Sequence, residues 1–315
     1  MGKLAFVFAG QGAQAVGMGR ELCENYKVAD DIYNTASEAL GFDIKEMIFS
    51  GTEETLMVTE NTQPTVVTMS AAALAVLREK GVEPDVVAGL SLGEYTAHIC
   101  SGSLDFADAV RLVKKRGKYM QEEVPEGVGS MAAIIALGAD EVKAACEKAG
   151  EVGICEPANF NCPGQIVISG EKAAVEKCCE ICKEMGAKRA LPLAVSAPFH
   201  CSMLKGAGEK LEKEIENVTV GEMKIPVITN VTADYVKSAD EIKPLLVKQV
   251  SSSVLWEDTI RKMIADGVDR FVEVGPGKTL SGFIKKVSKD VAVYNVEDIA
   301  SLEKTLEGLG GEENA

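Results

Sequence analysis

Residues Gly89-Leu90-Ser91-Leu92-Gly93 follow directly on the short apolar run Asp85-Val86-Val87-Ala88 and lead into a stretch of helical periodicity. A serine between two glycines at a strand-to-helix junction restricts the fold sharply. The chain must turn tightly and pass close to its neighbours, which requires a strand ending at a sheet edge and a helix starting behind it. In that setting Ser91 Oγ is lifted to the helix N-terminus, where the Leu92 N–H points at developing negative charge. The plainer alternative is a glycine-rich turn with a capping serine.

The rest of the chain supplies a sheet for such an edge. Lys3 to Phe8 reads as a β-rich strand running into Gly10-Gln11-Gly12, followed by helical patterns over Asn25 to Leu40 and Gln63 to Lys80. Strands alternating with helices predict a mostly parallel sheet with helices on both faces. From about Ser130 the rhythm changes to strand (Met131 to Leu137), helix (Ala139 to Ala149), two strands (Gly153 to Asn159, Gln165 to Ser169), helix (Glu171 to Met185) and strand (Lys188 to Leu193). That βαββαβ order is the ferredoxin-like pattern. After Pro198 the first rhythm resumes: helix Met203 to Glu216, strand Pro226 to Asn230, helices from Ala239 to Ala265, strand Arg270 to Val274.

The fold class expected is therefore α/β: a large α/β-hydrolase-like domain with a mostly parallel sheet, carrying an inserted ferredoxin-like subdomain. The large domain is discontinuous, 1–127 and 198–315, and the subdomain covers 128–197. The seam between them is where a small-molecule site is expected. Gly310 to Ala315 reads as a frayed terminus.

A serine hydroxyl needs a base, and the 315 residues contain only 2 histidines. His98 lies seven residues beyond Ser91 on the same helix, about 10 Å along its axis, too far for direct proton transfer; a structural or partly exposed histidine is expected there. His200 closes Ser196-Ala197-Pro198-Phe199-His200, which leaves the inserted unit at the seam, and is the candidate base. Arg116 shares a helix face with Ala109, Leu112, Val113 and Met120, in a helix that Ser103 is expected to cap, while Lys114, Lys115 and Lys118 project elsewhere. A guanidinium turned inward needs an anion. Either a fixed Asp or Glu supplies it, or the site waits for a carboxylate substrate held by the planar fork.

A formal charge of −15 argues against nucleic acid. No apolar run is long enough for a bilayer span or a signal peptide, so the cytoplasm is expected. Nine cysteines, an odd number, suit a reducing compartment. Among them Cys178, Cys179 and Cys182 are expected to pack as small apolar side chains in a helix, without a metal.

Taken in order, Gly10-Gln11-Gly12, Gln63-Pro64, Gly89 to Gly93 with Glu94, the Arg116 helix, Asn159-Phe160-Asn161, Ser196 to His200 and Gly275-Pro276-Gly277 resemble the malonyl-CoA:acyl carrier protein transacylases over nearly the whole chain. The resemblance implies an acyltransferase that moves malonyl from coenzyme A to the phosphopantetheine thiol of acyl carrier protein through a malonyl-serine ester, in a ping-pong sequence supplying fatty acid synthesis. Ser91 would be the nucleophile and His200 the base. The oxyanion would sit on the N–H groups of Gln11 and Leu92, Arg116 would clamp the malonyl carboxylate, and the carbonyl of Gln249 would orient His200. Asn159 matches an active-site position of the family, and Gln165 and Arg189 are expected coenzyme A contacts. No metal or other cofactor is implied, with coenzyme A entering as a thioester substrate, and a monomer is expected.

Two positions depart from the family pattern: Leu90 stands where histidine is usual, and Ala9 where proline is usual. Carrier protein is acidic, so an acidic enzyme needs a local basic patch; Lys114, Lys115, Lys118, Lys188, Arg189, Lys285 and Lys286 are the candidates. Rival readings are an α/β-hydrolase-type serine esterase or thioesterase, which expects an Asp or Glu partner and a His-Gly-Gly loop, and a catalytically dead carrier-docking module.

Overall fold

A computed structural model describes residues 2–195 and 197–310. Ser196 and most of the expected frayed tail, 311–315, lie outside the described residues. Strands are β1 (Lys3–Phe8), β2 (Val86–Gly89), β3 (Gly129–Ile135), β4 (Cys155–Cys162), β5 (Gln165–Glu171), β6 (Arg189–Pro192), β7 (Val227–Ile228), β8 (Val268–Val274) and β9 (Ala292–Val296). They form two sheets, one of order β7-β2-β1-β8-β9 and one of order β4-β5-β3-β6.

Every pairing in the first sheet is parallel, as buried apolar strands joined by helical crossovers require. Phe8 is in register with both Gly89 and Val274. Three strands thus end on one line, and the loops opening with Ala9, Leu90 and Gly275 leave the same edge. This is why three glycine motifs far apart in sequence meet, and the carboxyl edge of such a sheet is where ligands bind.

The second sheet is antiparallel. Helices Ala139–Ala149 and Lys172–Glu184 pack on it, burying Ile134, Ile168, Val142 and Val175 in a core of their own. It is stitched to the larger body beside the site: Phe160 N–H donates to Val254 O at 2.9 Å, Val254 N–H to Ala158 O at 2.8 Å, and Ser253 Oγ to Pro157 O at 2.6 Å.

Helix Thr59–Glu79 is buried on nearly all sides, with threonine hydroxyls bonded back to carbonyls one turn earlier. Helix Phe106–Glu123 crosses it closely, because a Cβ at Gly117 would come within 2.6 Å of Thr59 O. That approach delivers Arg116 to the interior.

Several expectations shift. Asp105, not Ser103, caps helix Phe106–Glu123, its side chain accepting from Asp108 N–H; Ser103 bonds His98 instead. The strand expected over Pro226 to Asn230 shortens to Val227–Ile228, because the Thr229 hydroxyl is spent on Glu94 and the Asn230 side chain on the serine turn. Helices Ile44–Ser50 and Glu53–Met57, capped by Asp43 and Thr52, were too short to stand out by periodicity. Among the described residues, no helix is long and apolar enough to cross a membrane.

Candidate active site

The two glycines around Ser91 are dictated by contact. A Cβ on Gly89 would lie 2.0 Å from Gly93 C and O, and one on Gly93 would lie 2.1 Å from Phe8 O. Between them Ser91 takes φ 52°, a left-handed conformation that L-residues adopt at a cost. Asn230 holds the turn in that state: its Oδ1 accepts from Ser91 N–H at 2.6 Å and its Nδ2 donates to Gly89 O at 2.7 Å. One amide side chain therefore satisfies both sides of the strained turn.

Ser91 Oγ lies 2.6 Å from His200 Nε2. His200 also has positive φ, 60°, and its Nδ1 is 3.0 Å from Gln249 O. A carbonyl only accepts, so Nδ1 carries the proton and Nε2 is left to accept from the serine hydroxyl. Burial, and secondarily the charge of Arg116, lowers the His200 pKa to about 4. The imidazole is therefore neutral at ordinary pH, the form that can take a proton. Its partner is a main-chain carbonyl, not the carboxylate of a hydrolase triad.

Arg116 is 1% exposed. Its Nη1 donates to Gln63 Oε1 at 2.9 Å, and its Nη2 to Gln249 Oε1 at 3.0 Å and to Ser91 Oγ at 3.4 Å. The guanidinium carbon stands 5.5 Å above the Tyr95 ring. Nε has no partner. Among the described residues, no carboxylate lies within ion-pair distance of Arg116, so of the two anions open to it the fixed Asp or Glu is not the one found. Neutral amide oxygens hold the cation beside the serine hydroxyl.

Behind this layer is Glu94, wholly buried. Its Oε1 accepts from Thr229 Oγ1 at 2.9 Å, and its Oε2 from Asn230 N–H at 2.8 Å and Gln249 Nε2 at 2.9 Å. Burial raises its pKa to about 7 against the pull of those donors and of Arg116. Gln249 Nε2 also donates to Ser91 O at 3.0 Å. One glutamine thus orients the histidine with its main chain and, with its side chain, ties Arg116, Glu94 and the serine turn together.

A cavity of about 870 Å³ opens on this constellation. Gln11, Ser91, Arg116 and His200 line it from the larger body, Asn159, Met131 and Val167 from the antiparallel sheet. Gln11 Nε2 is 3.4 Å from Thr59 Oγ1, and Leu92 is the N-cap of helix Gly93–Ser101. Asn159 is 8% exposed and bridges Val254.

Gln165 and Arg189 are not brought to the cavity. Both pair with Ile135 at one end of the second sheet, and Gln165 Oε1 accepts from Lys286 Nζ at 3.4 Å. His98 is fully buried, its Nδ1 2.8 Å from Ser103 Oγ, so the partly exposed alternative does not hold. Lys114, Lys115 and Lys118 pair with Glu60, Glu214 and Glu122; Lys115 and Lys118 are exposed, as are Lys188, Arg189, Lys285 and Lys286. Asn230, expected only as the end of a strand, holds the serine turn. The polar pair Thr229-Asn230 ending the apolar Val227-Ile228 run was the available signal.

The acyl transferase domain family matches residues 5–308. A malonyl CoA-acyl carrier protein transacylase of Bacillus subtilis (strain 168) is 45% identical over 310 residues, 98% of each chain. The crystal structure of a malonyl CoA-acyl carrier protein transacylase from Clostridium perfringens ATCC 13124 superposes with a TM-score of 0.96 at 50% identity, covering 99% of this chain and 98% of the other. A malonyl-transacylase solved in complex with its type II PKS acyl-carrier protein superposes with a TM-score of 0.95 at 43% identity, covering 97% and 99%.

Proposed function

The chain belongs to the acyl transferase domain family, among the malonyl-CoA:acyl carrier protein transacylases, and from that premise we propose that it transfers malonyl through an ester on Ser91. It is an acyltransferase that moves the malonyl group from coenzyme A to acyl carrier protein for fatty acid synthesis. The observation that carries the residue assignment is the chain of contacts from Ser91 Oγ through the His200 ring to Gln249 O.

In the first half reaction Ser91 Oγ attacks the thioester carbon while His200 Nε2 takes the hydroxyl proton. The N–H groups of Gln11 and Leu92 receive the oxyanion; a preorganised donor of this kind contributes roughly 2.7–4 kcal/mol to the transition state. As the tetrahedral adduct collapses, the C–S bond breaks and His200 returns its proton to the departing coenzyme A thiolate. In the second half the phosphopantetheine thiol gives its proton to His200 and attacks the ester carbonyl, and Ser91 leaves as the hydroxyl.

Arg116 receives the free malonyl carboxylate. Its positive charge, its unpartnered Nε and its position 3.4 Å from Ser91 Oγ support this role. Asn159 borders the acyl group from the opposite wall. The chemistry uses side chains and two thiols, without a resident cofactor.

The larger body is read as α/β-hydrolase-like, residues 1–127 and 198–315, and the smaller as a ferredoxin-like insertion, 128–197, on the strand order β4-β5-β3-β6 and its two helices. The enzyme is read as a cytoplasmic monomer. The acidic carrier docks on exposed Lys188, Arg189, Lys285 and Lys286 rather than on the lysines already paired with glutamates, and coenzyme A reaches Gln165 and Arg189 only by extending beyond the cavity.

The test is incubation with malonyl-CoA with and without a thiol acceptor. Transfer predicts a short burst of coenzyme A followed by turnover that depends on the carrier. Sustained hydrolysis without acceptor would favour an esterase instead.

A further inference from the structure

The smaller body's core departs from the usual composition of a helix-on-sheet layer. Where leucine or isoleucine would fill the space, thiols meet from three separate segments: Cys146 from helix Ala139–Ala149, Cys178 from helix Lys172–Glu184, and Cys155 as the first residue of β4. Cys146 Sγ is 3.7 Å from Cys178 Sγ and 3.9 Å from Cys155 Sγ, and all three sulfurs lie within 4.8 Å of one another. Among the described residues this is the only group of three metal-ligating side chains so close together.

From this convergence we propose that Cys146, Cys155 and Cys178 form a binding site for one thiophilic metal ion of the Zn²⁺ class, outside the transfer reaction. Geometry supports it first. A point central to the three sulfurs lies roughly 2.2–2.5 Å from each, against a Zn–S bond of about 2.3 Å. Thiolate-only donors select soft or borderline ions over Mg²⁺ and Ca²⁺.

Rigidity supports it next. Cys155 is held by pairing with Gly170 of β5, and both helices are packed on the sheet and on each other through a buried core. The ligands are therefore brought together by the fold and not by the ion. Cys182, one helical turn beyond Cys178 with its Sγ 4.0 Å away, is a reserve donor.

Access supports it third. A cleft of about 590 Å³ runs between the helix Ala139–Ala149 and β4, and Cys146 and Cys155 both form part of its wall together with Lys143, Glu147 and Glu171. An ion enters by this route, and the fourth position of a tetrahedral ion is filled from the cleft.

Binding involves no oxidation. Each of the three thiols gives its proton to solvent as its S–metal bond forms, so three protons leave per ion, and affinity rises with pH. The complex of a divalent ion with three thiolates carries one negative charge. Because the unfolded chain lacks the convergence, the ion stabilises the fold by mass action.

The test uses the reduced full-length protein and Cd²⁺ as a spectroscopic probe for Zn²⁺. One equivalent per chain should bind, giving ultraviolet thiolate-to-metal charge-transfer absorption and a single metal adduct in native mass spectra. Cys146→Ala and Cys178→Ala should each weaken binding by more than the roughly tenfold to hundredfold that loss of an outer-shell partner costs, while Cys23→Ala should leave it unchanged. In case the alanine variants do not fold, a second readout uses the wild type: Zn²⁺ should protect Cys146 and Cys155 from alkylation, mapped by peptide mass spectrometry. Absence of the band and adduct, binding that survives both variants, or alkylation unaffected by Zn²⁺ would each overturn the proposal.

Discussion

The Nδ1–H of His200 donates to the main-chain carbonyl of Gln249 at 3.0 Å, so its partner is a neutral group. A carboxylate partner would hold the imidazole by charge; a carbonyl orients it, and the rise in basicity it brings is outweighed by burial and by Arg116. With burial and Arg116 lowering the pKa to about 4, the base is already unprotonated across neutral pH. Protonation at Nε2 would block acceptance from Ser91, so activity should fall only as pH drops towards about 4. The acid limb of kcat/KM for malonyl-CoA checks this; a limb near 6.5, the ordinary histidine value, would contradict it.

Truncating Arg116 separates charge recognition from chemistry. Arg116→Ala should cost malonyl transfer on the order of 2–5 kcal/mol, the range for breaking one side of a buried charge pair. Transfer of acetyl, which has no carboxylate to lose, should improve relative to malonyl. Comparing kcat/KM for the two thioesters in wild type and variant decides it, and an unchanged ratio removes Arg116 from that role.

Asn230 is a positioning residue for the nucleophile. Asn230→Ala leaves Ser91 N–H and Gly89 O buried without partners, at about 1–3 kcal/mol for an unsatisfied group. Denaturant midpoints should fall, and kcat should fall more than KM rises, because the serine turn loses its hold while the substrate pocket keeps its walls. A stability loss with kcat intact would make the residue merely structural.

The fold around the nucleophile was legible in sequence because its causes are local. Gly89 and Gly93 are fixed by contacts within a few residues or with the neighbouring strand end, and the apolar runs of β1, β2 and β8 identify the parallel sheet. Helix Ala139–Ala149 falls where its periodicity puts it. What sequence could not show are polar contacts between distant segments. Asn230 reaches Ser91, and Thr229 reaches Glu94, across more than 130 residues, and periodicity carries no information about which buried amide meets which backbone group. Arg116 was readable as an inward cation, but its partners Gln63 and Gln249 were not. The Ser103 side chain suits a cap, but His98 claims it, and Asp105 two residues on does the capping.

Gly93→Ala tests the turn itself. A Cβ placed 2.1 Å from Phe8 O must displace the end of β1, and overpacking of this kind typically costs about 1–3 kcal/mol, sometimes more. A fall of several degrees in Tm with loss of transfer is expected. An alanine variant as stable and active as wild type would show that the strand and helix are further apart than described.

Carrier docking distinguishes cations with no carboxylate partner among the described residues from those paired with one. Lys285→Glu with Lys286→Glu should raise the carrier KM in a salt-sensitive way, since exposed charges are screened within about 10 Å at 0.1 M salt. Lys115→Glu should do less, because Glu214 already holds that lysine at 2.5 Å. Equal effects from both would place docking elsewhere.

The central claim, that the acyl group rests on Ser91, is tested most directly by peptide-mapped mass spectrometry of protein mixed with malonyl-CoA and quenched in acid. A single malonyl ester on the peptide containing Ser91, discharged by added pantetheine and absent from Ser91→Ala, is the predicted result. A malonyl adduct on any other residue, or carrier malonylation at an undiminished rate in Ser91→Ala, would contradict it.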